Sequence, residues 1–308
     1  MRILVTGVSG YVGAALVPHL QAAGHAVRGF ARAAERVTAA GVSLDDVVLG
    51  DAVSGAGLER ALDGTDVAYY LIHSMEGALN SGFPEHERRA AARFAAAARA
   101  AGLRRVVYLG GLVPDGAAVS RHLASRLAVE QALLAAAEEP IALRASIVVG
   151  ARSRSFRFLV RLIERLPVLA LPAWRVHRTQ PIDGRDVLDF LVRAADAPAA
   201  LSGRSWDIAG PEAMTYQELI ERIADAMLVE RPAIRLGFSL TPVASVVAAA
   251  VAAEDPGFIM PLMESLESDL LPRDHDAASA FGVRLHAFDA AVERALREWE
   301  QIEEVAAK

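Results

Sequence analysis

The sequence contains no cysteine. That excludes disulfides, thiolate zinc sites, iron–sulfur clusters and cysteine nucleophiles together. It has no basic block either: 32 Lys and Arg are outnumbered by 38 Asp and Glu, for a net charge of −6. Such a balance carries no electrostatic footprint for nucleic acid. No His-Glu-x-x-His occurs, and His73 and His86 stand apart from other ligands, so no metal is expected. Long hydrophobic runs are also missing. The longest, LTPVASVVAAAVAA at 240–253, is short of the ~20 residues that span a bilayer. Pro242 and Ser245 interrupt it. A buried helix is the expectation there, with peripheral membrane contact as the alternative. The opening MRILVTG lacks the basic flank and apolar stretch of a signal peptide, so a cytoplasmic protein is expected.

What is present is apolar surface. Hydrophobic residues make up 53% of the 308 positions, which supports one large α/β domain with an added lobe, or two small domains. Strand-like and helix-like patterns alternate through the first half. RILVT (2–6), HAVRGFA (25–31), DDVVLGD (45–51), DVAYYLI (66–72) and RRVVYLG (104–110) read as strands, and IALRASIVVG (141–150) as a sixth strand and its exit. Helices are expected at 11–23, 58–64, 84–101 and 122–137, several closed by glycine. This alternation predicts a Rossmann-type α/β fold: a doubly wound parallel sheet with helices on both faces. A smaller, mostly helical C-terminal lobe follows. The expected division is 1–150 for dinucleotide binding and 151–308 for substrate, with 184–210 packing back on the sheet. Within the lobe, Thr215 and Glu218 form a capping box ahead of a helix.

Between the first strand and helix lies TGVSGYVG, residues 6–13. Gly7 permits a tight turn, Gly10 lets backbone approach a pyrophosphate, and Gly13 lets helix and strand pack closely. The helix N-terminus then faces the phosphate charge. Ser9, Tyr11 and Val12 complete the loop as expected cofactor contacts. A carboxylate at the end of the second strand would grip the ribose of NAD. Here Phe30 and Ala31 are followed by Arg32, a fork-shaped partner for a 2′-phosphate. NADP(H) is therefore expected, with NAD(H) as the alternative. Asp51, a candidate for the adenine amino group or a simple turn aspartate, and Ala52 follow the third strand. Leu71 and His73 follow the fourth, and Gly110 and Gly111 close the fifth; all are expected near the cofactor.

TGVSGYVG, YLIHSM (70–75), YLGGL (108–112) and SRHLASR (120–126), with LRASIVVG, TQPIDGRDVL and MESLESDLLPRD downstream, resemble the atypical short-chain dehydrogenase/reductases. The likeness is greatest to their NAD(P)H-binding YbjT-like or NmrA-like group and covers nearly the whole chain. That resemblance implies the fold and the cofactor class. It does not name a substrate, because the group includes reductases, epimerase-like enzymes, cofactor sensors and an accessory subunit of respiratory complex I. Its active enzymes carry Ser or Thr at the end of the fifth strand and Tyr-x-x-x-Lys after it. Gly110–Gly111, His122 and Arg126 stand in those places here.

His122 can donate a proton in place of tyrosine. Arg126 can hold the nicotinamide ribose, though it cannot readily shuttle a proton. Phe156, Phe158, Leu159, Trp174, Phe238, Phe258, Met260 and Met263 are core residues or the lining of a hydrophobic substrate site. The sequence reading is thus an NADP-dependent oxidoreductase of a small hydrophobic carbonyl or enone, as monomer or homodimer. A non-catalytic NADP(H) sensor or partner-binding protein is the first alternative. An epimerase, isomerase or lyase that retains the cofactor is the second.

Overall fold

The apolar run RILVT forms β1 (Arg2–Thr6), buried from Ile3 onward. In the computed structural model, which describes residues 1–72, 83–114, 121–237 and 241–303, strands and helices then alternate. They are α1 (Tyr11–Ala22), β2 (Ala26–Ala31), α2 (Ala34–Ala39), β3 (Asp46–Leu49), α3 (Leu58–Leu62) and β4 (Val67–Tyr70). Next come α4 (Phe83–Ala100), β5 (Arg105–Gly111), α5 (Arg121–Leu134) and β6 (Ile141–Ala145). Beyond them lie β7 (Val148–Val149), α6 (Arg154–Arg165), β8 (Leu169–Leu171), β9 (Arg178–Thr179), β10 (Ile182–Asp183), α7 (Gly184–Ala195) and β11 (Arg204–Ile208). The chain continues through β12 (Met214–Thr215), α8 (Tyr216–Ala226), β13 (Ala233–Arg235), α9 (Thr241–Ala252), α10 (Pro256–Ser265), α11 (Ala277–Phe281) and α12 (Phe288–Glu300).

Seven strands build the main sheet in the order β3-β2-β1-β4-β5-β6-β11, and every pair is parallel. The order reverses between β1 and β4, which is the switch point where ligands bind in such sheets. The expected doubly wound fold is therefore the one observed. Two details differ. The segment AERVTA, given no element from sequence, is the short helix α2. The exit of the sixth strand, expected within IALRASIVVG, itself forms a short strand, β7. After Ala145 the chain leaves the sheet, Ser146 N bonds to Ile208 O at 3.2 Å, and β7 pairs instead with β10.

Alternate side chains of the strands feed two apolar layers. One face packs on α1, α7 and α11 through residues such as Val5, Leu16, Phe190 and Phe281. The other packs on α3, α4 and α5 through Leu4, Tyr70, Phe94 and Leu133. A third cluster joins Phe156, Trp174, Leu219, Ile259 and Trp299 in the C-terminal half. Arg105, 1% exposed, donates to the Ala194, Ala195 and Ala197 carbonyls. A buried cation there meets the negative end of the α7 dipole and its unpaired carbonyls. In α9, Ser245, Ala248, Ala249 and Ala252 are buried. Among the described residues no helix is long and apolar enough to cross a membrane.

Candidate cofactor site and reaction centre

Backbone contacts leave no room for a side chain at Gly7 or Gly13 of the glycine loop. Gly7 has φ +68°, in the left-handed region, and a Cβ on it would lie 2.6 Å from the Leu71 carbonyl oxygen. A Cβ on Gly13 would lie 3.0 Å from both the Gly7 carbonyl carbon and Val8 Cα. The Gly10 amide donates to Gly7 O at 2.9 Å. Thr6 fastens this turn to β4: its hydroxyl donates to Tyr69 O at 2.9 Å and accepts from Leu71 N at 3.3 Å. The helix α1 opens with Gly10 as its N-cap, with no side-chain cap and no acid in its first turn. Its first amides and the positive end of its dipole are thus left to an anion. This is the cradle a pyrophosphate requires, so the residues present fit a dinucleotide.

Ser9 and Val12 are half-buried in this loop. Tyr11 turns its side chain the other way. Its hydroxyl fills the space left by Gly150 and Gly184. Burial pushes its pKa up to about 12, with Arg294 opposing and Glu298 and Asp183 adding to the rise. What Tyr11 offers a phosphate is therefore backbone, while its ring stands between the loop and α7.

At the end of β2, Phe30 and Ala31 are buried and Arg32 is exposed. Asp51 faces it from the end of β3. Burial would raise the Asp51 pKa, but the Val53 and Ser54 amides, the Ser54 hydroxyl and the Arg32 charge hold it below the usual carboxylate value. One carboxylate oxygen accepts from Val53 N and the other from Ser54 N. Asp51 therefore orders its own turn, and Ala52 is buried behind it.

The end of β5 carries the less familiar chemistry. Among the described residues, a Cβ on Gly111 would have only Ala145 O nearby, at 4.0 Å. Gly110 is crowded by Tyr108, whose ring would lie 2.9 Å from an added Cβ. Tyr108, Tyr70, Ile72, Glu87, Ala90, Arg126 and Val129 line a cavity of about 10 Å³, the size of one water. Tyr70 packs edge-on to Phe94 at 5.0 Å and lies 6.4 Å from the Tyr108 ring. Ser125 donates to Glu87 Oε2 at 3.3 Å in the same buried layer. Burial pushes the Tyr108 phenol up, Arg126 pulls it down and Glu87 raises it again. The Tyr70 phenol is likewise raised by burial and by Glu87, with Arg126 opposing.

Arg126 is therefore brought to the β4–β5 end of the sheet. His122 lies one turn earlier on α5; its side chain, like all of His73, is outside the described residues. Phe156, Phe158, Trp174 and Met263 are buried in the C-terminal core, with Leu159 packed against it. Met260 is half-buried, and the side chains of Phe238 and Phe258 fall outside the described residues. Gln180 is buried and donates to Gly210 O. Among the described residues no group of acids and histidines could hold a metal.

Sequence reasoning missed a buried ionic chain beside this centre. Arg144 pairs with both oxygens of Glu130 and lies 3.7 Å from Asp207. Asp207 in turn receives a two-pronged contact from Arg273. The signal was available as Arg144, a lone charge inside the apolar run IALRASIVV.

Comparison with known proteins follows the same lines. Residues 7–146 match the NAD(P)H-binding family. The chain is 27% identical over 149 residues to NADH dehydrogenase (ubiquinone) 1 alpha subcomplex subunit 9, mitochondrial, of Arabidopsis thaliana. That match spans 48% of this chain and 36% of the plant protein. A short-chain dehydrogenase/reductase superfamily protein from Agrobacterium tumefaciens, solved with bound NAD, superposes with a TM-score of 0.70 at 19% identity, over 98% of each chain. UDP-glucuronic acid 4-epimerase from Bacillus cereus, in complex with UDP-glucuronic acid and NAD, gives 0.72 at 15% identity, over 98% of this chain and 100% of that one. At these identities the structures share a fold with this chain and no more.

Proposed function

We propose that this chain, an NAD(P)H-binding protein of the short-chain dehydrogenase/reductase fold, is an NADP(H)-dependent oxidoreductase of small hydrophobic carbonyls. The observation that carries the reading is the Gly7–Gly10–Gly13 cradle at the N-terminus of α1, beside the switch point of the sheet. In the reading, the amides after Gly10 bind the pyrophosphate. Arg32 takes the 2′-phosphate, because an exposed arginine stands where an NAD-binding carboxylate would. Leu71 and Gly110–Gly111 flank the nicotinamide end, and Arg126 supplies positive charge there. The cofactor, when bound, supplies or accepts the hydride. The cytoplasmic setting belongs to the same reading.

The test is direct. Purified protein is titrated with NADPH and NADH by fluorescence, then supplied with a panel of lipophilic ketones, aldehydes, quinones and enones while NADPH oxidation is followed. Tighter NADPH binding with turnover supports the reading. A protein that binds neither nucleotide overturns it.

A second reading is favoured by Gly110, which removes the strand-end hydroxyl of the active enzymes it resembles. On that reading the protein senses the NADP(H) redox state without turnover. Unequal affinities for NADP⁺ and NADPH with no oxidation of the panel would select it.

A further inference from the structure

Parallel strands ordinarily have both faces covered by other elements. The pair β8–β13 departs from this. Ala233, Ile234 and Arg235 run parallel to Leu169, Ala170 and Leu171. Leu169 and Leu171 belong to the C-terminal core. Side chains alternate along a strand, so Val168, Ala170 and Ile234 share the opposite face. Val168 is 37% exposed and Ile234 55%, and Ala170, paired with Ile234, is exposed as well. A face turned to water is ordinarily polar; this one is apolar.

Leu228 extends the same ridge. It follows α8 with its backbone in the left-handed region, at φ +56°, a place usually given to glycine or asparagine, and it is 91% exposed. Arg231, three residues on, donates to the Ile163 and Glu164 carbonyls at the end of α6. That contact sets the α8–β13 connection beside the α6–β8 connection, which carries Val168.

The flanks of the ridge are cationic. Stretches 165–176 and 228–237 hold Arg165, Arg175, Arg231 and Arg235, with Glu230 as their one acid, in a chain of net charge −6. Among the described residues, Arg165, Arg175 and Arg231 donate to backbone carbonyls. Those contacts position the guanidinium groups and leave their charge in place.

We propose that this ridge is a docking surface for an anionic lipid bilayer. Its apolar side chains enter the interface and its arginines meet the headgroup phosphates. The acidic balance of the chain stays on the water side. Docking needs neither cofactor nor turnover, so it stands apart from the oxidoreductase reading.

Full-length protein is sedimented with vesicles of phosphatidylcholine alone or mixed equally with phosphatidylglycerol. It is expected to bind the anionic vesicles at least about tenfold better than the neutral ones, and to lose that preference in high salt. Arg235→Glu and Ile234→Asp should each weaken binding to the anionic vesicles by about tenfold or more. Leu228→Gly should weaken it by about fivefold. Its melting temperature should hold or rise, since glycine suits the left-handed backbone, so that loss cannot be one of folding. Wild-type protein that stays off anionic vesicles overturns the proposal. So does equal binding to neutral and anionic vesicles, or equal binding by the wild type and the three variants. A dimer in solution that Ile234→Asp converts to monomer gives the ridge to a second copy and overturns it too. Vesicle binding by a protein that takes up neither nucleotide would remove only the oxidoreductase reading.

Discussion

Gly13 sits against Gly7 so closely that a methyl group on it would be 3.0 Å from both the Gly7 carbonyl carbon and Val8 Cα. Backbone, not a movable side chain, is the obstacle. Gly13→Ala must therefore push α1 away from β1 and open the turn that carries Gly10. Overpacking of this kind costs about 1–3 kcal/mol. NADPH affinity is expected to fall at least about tenfold, since the amides no longer converge. Thermal melting and fluorescence titration read the two effects. Normal NADPH binding by a folded Gly13→Ala protein would show that the cradle is not the phosphate site.

Arg32 and Asp51 approach each other across the ends of β2 and β3, and the arginine helps hold the carboxylate below its usual pKa. Asp51 is committed to the Val53 and Ser54 amides, and on the proposed reading Arg32 takes the 2′-phosphate. Arg32→Ala should weaken NADPH by about 10–100-fold, the worth of a hydrogen bond to a charged group. NADH should change little. Equal weakening of both nucleotides would move the NADP preference elsewhere.

The fold was largely legible because its signals are local. Apolar runs, glycine stops and the loop TGVSGYVG each fix a short segment, and alternation then selects the parallel sheet. The Thr215–Glu218 capping box is formed as its spacing predicts. The centre was less legible because its contacts are made between elements distant in sequence. Tyr108 reads as an ordinary strand residue until Gly110, two positions on, is seen to leave space for its ring. Glu87 and Ser125 meet across α4 and α5, and no periodicity announces that. The Tyr11 hydroxyl stands against Gly150 and Gly184, residues that only the folded chain brings near.

Asp183 is the N-cap of α7, fully buried, and is paired with both Arg185 and Arg294. Burial opposes its ionisation, but the Arg185 contacts and the Arg294 charge prevail and keep its pKa below the usual value. A carboxyl depressed in the folded state adds stability above its unfolded pKa and loses it as pH falls through the folded one. Asp183→Asn should therefore destabilise the protein at neutral pH by about 1.5–3 kcal/mol. The gap from wild type should close once the pH is below the folded pKa of Asp183. Urea melts at neutral and strongly acid pH measure it. A gap that does not change with pH would assign the loss to packing rather than to charge.

Arg144 tests whether the buried ionic chain is a strut between sheet and helix. It joins β6 to Glu130 on α5, and its neighbour Asp207 on β11 is also gripped by Arg273. Among the described residues, removing Arg144 leaves Glu130 with only the Ser205 hydroxyl, whereas Asp207 keeps its second arginine. A buried charge deprived of its partner costs about 3–5 kcal/mol. Arg144→Met should thus be strongly destabilising, and most of the loss should belong to Glu130. Adding Glu130→Gln to Arg144→Met should recover part of it, because the orphaned charge is gone. Adding Asp207→Asn should recover nothing and should weaken the contact that Arg273 makes there as well. Denaturant melts of the two double variants against the single one decide the point. Equal recovery in both would mean that Glu130 and Asp207 depend on Arg144 alike, contrary to the asymmetry of their other contacts.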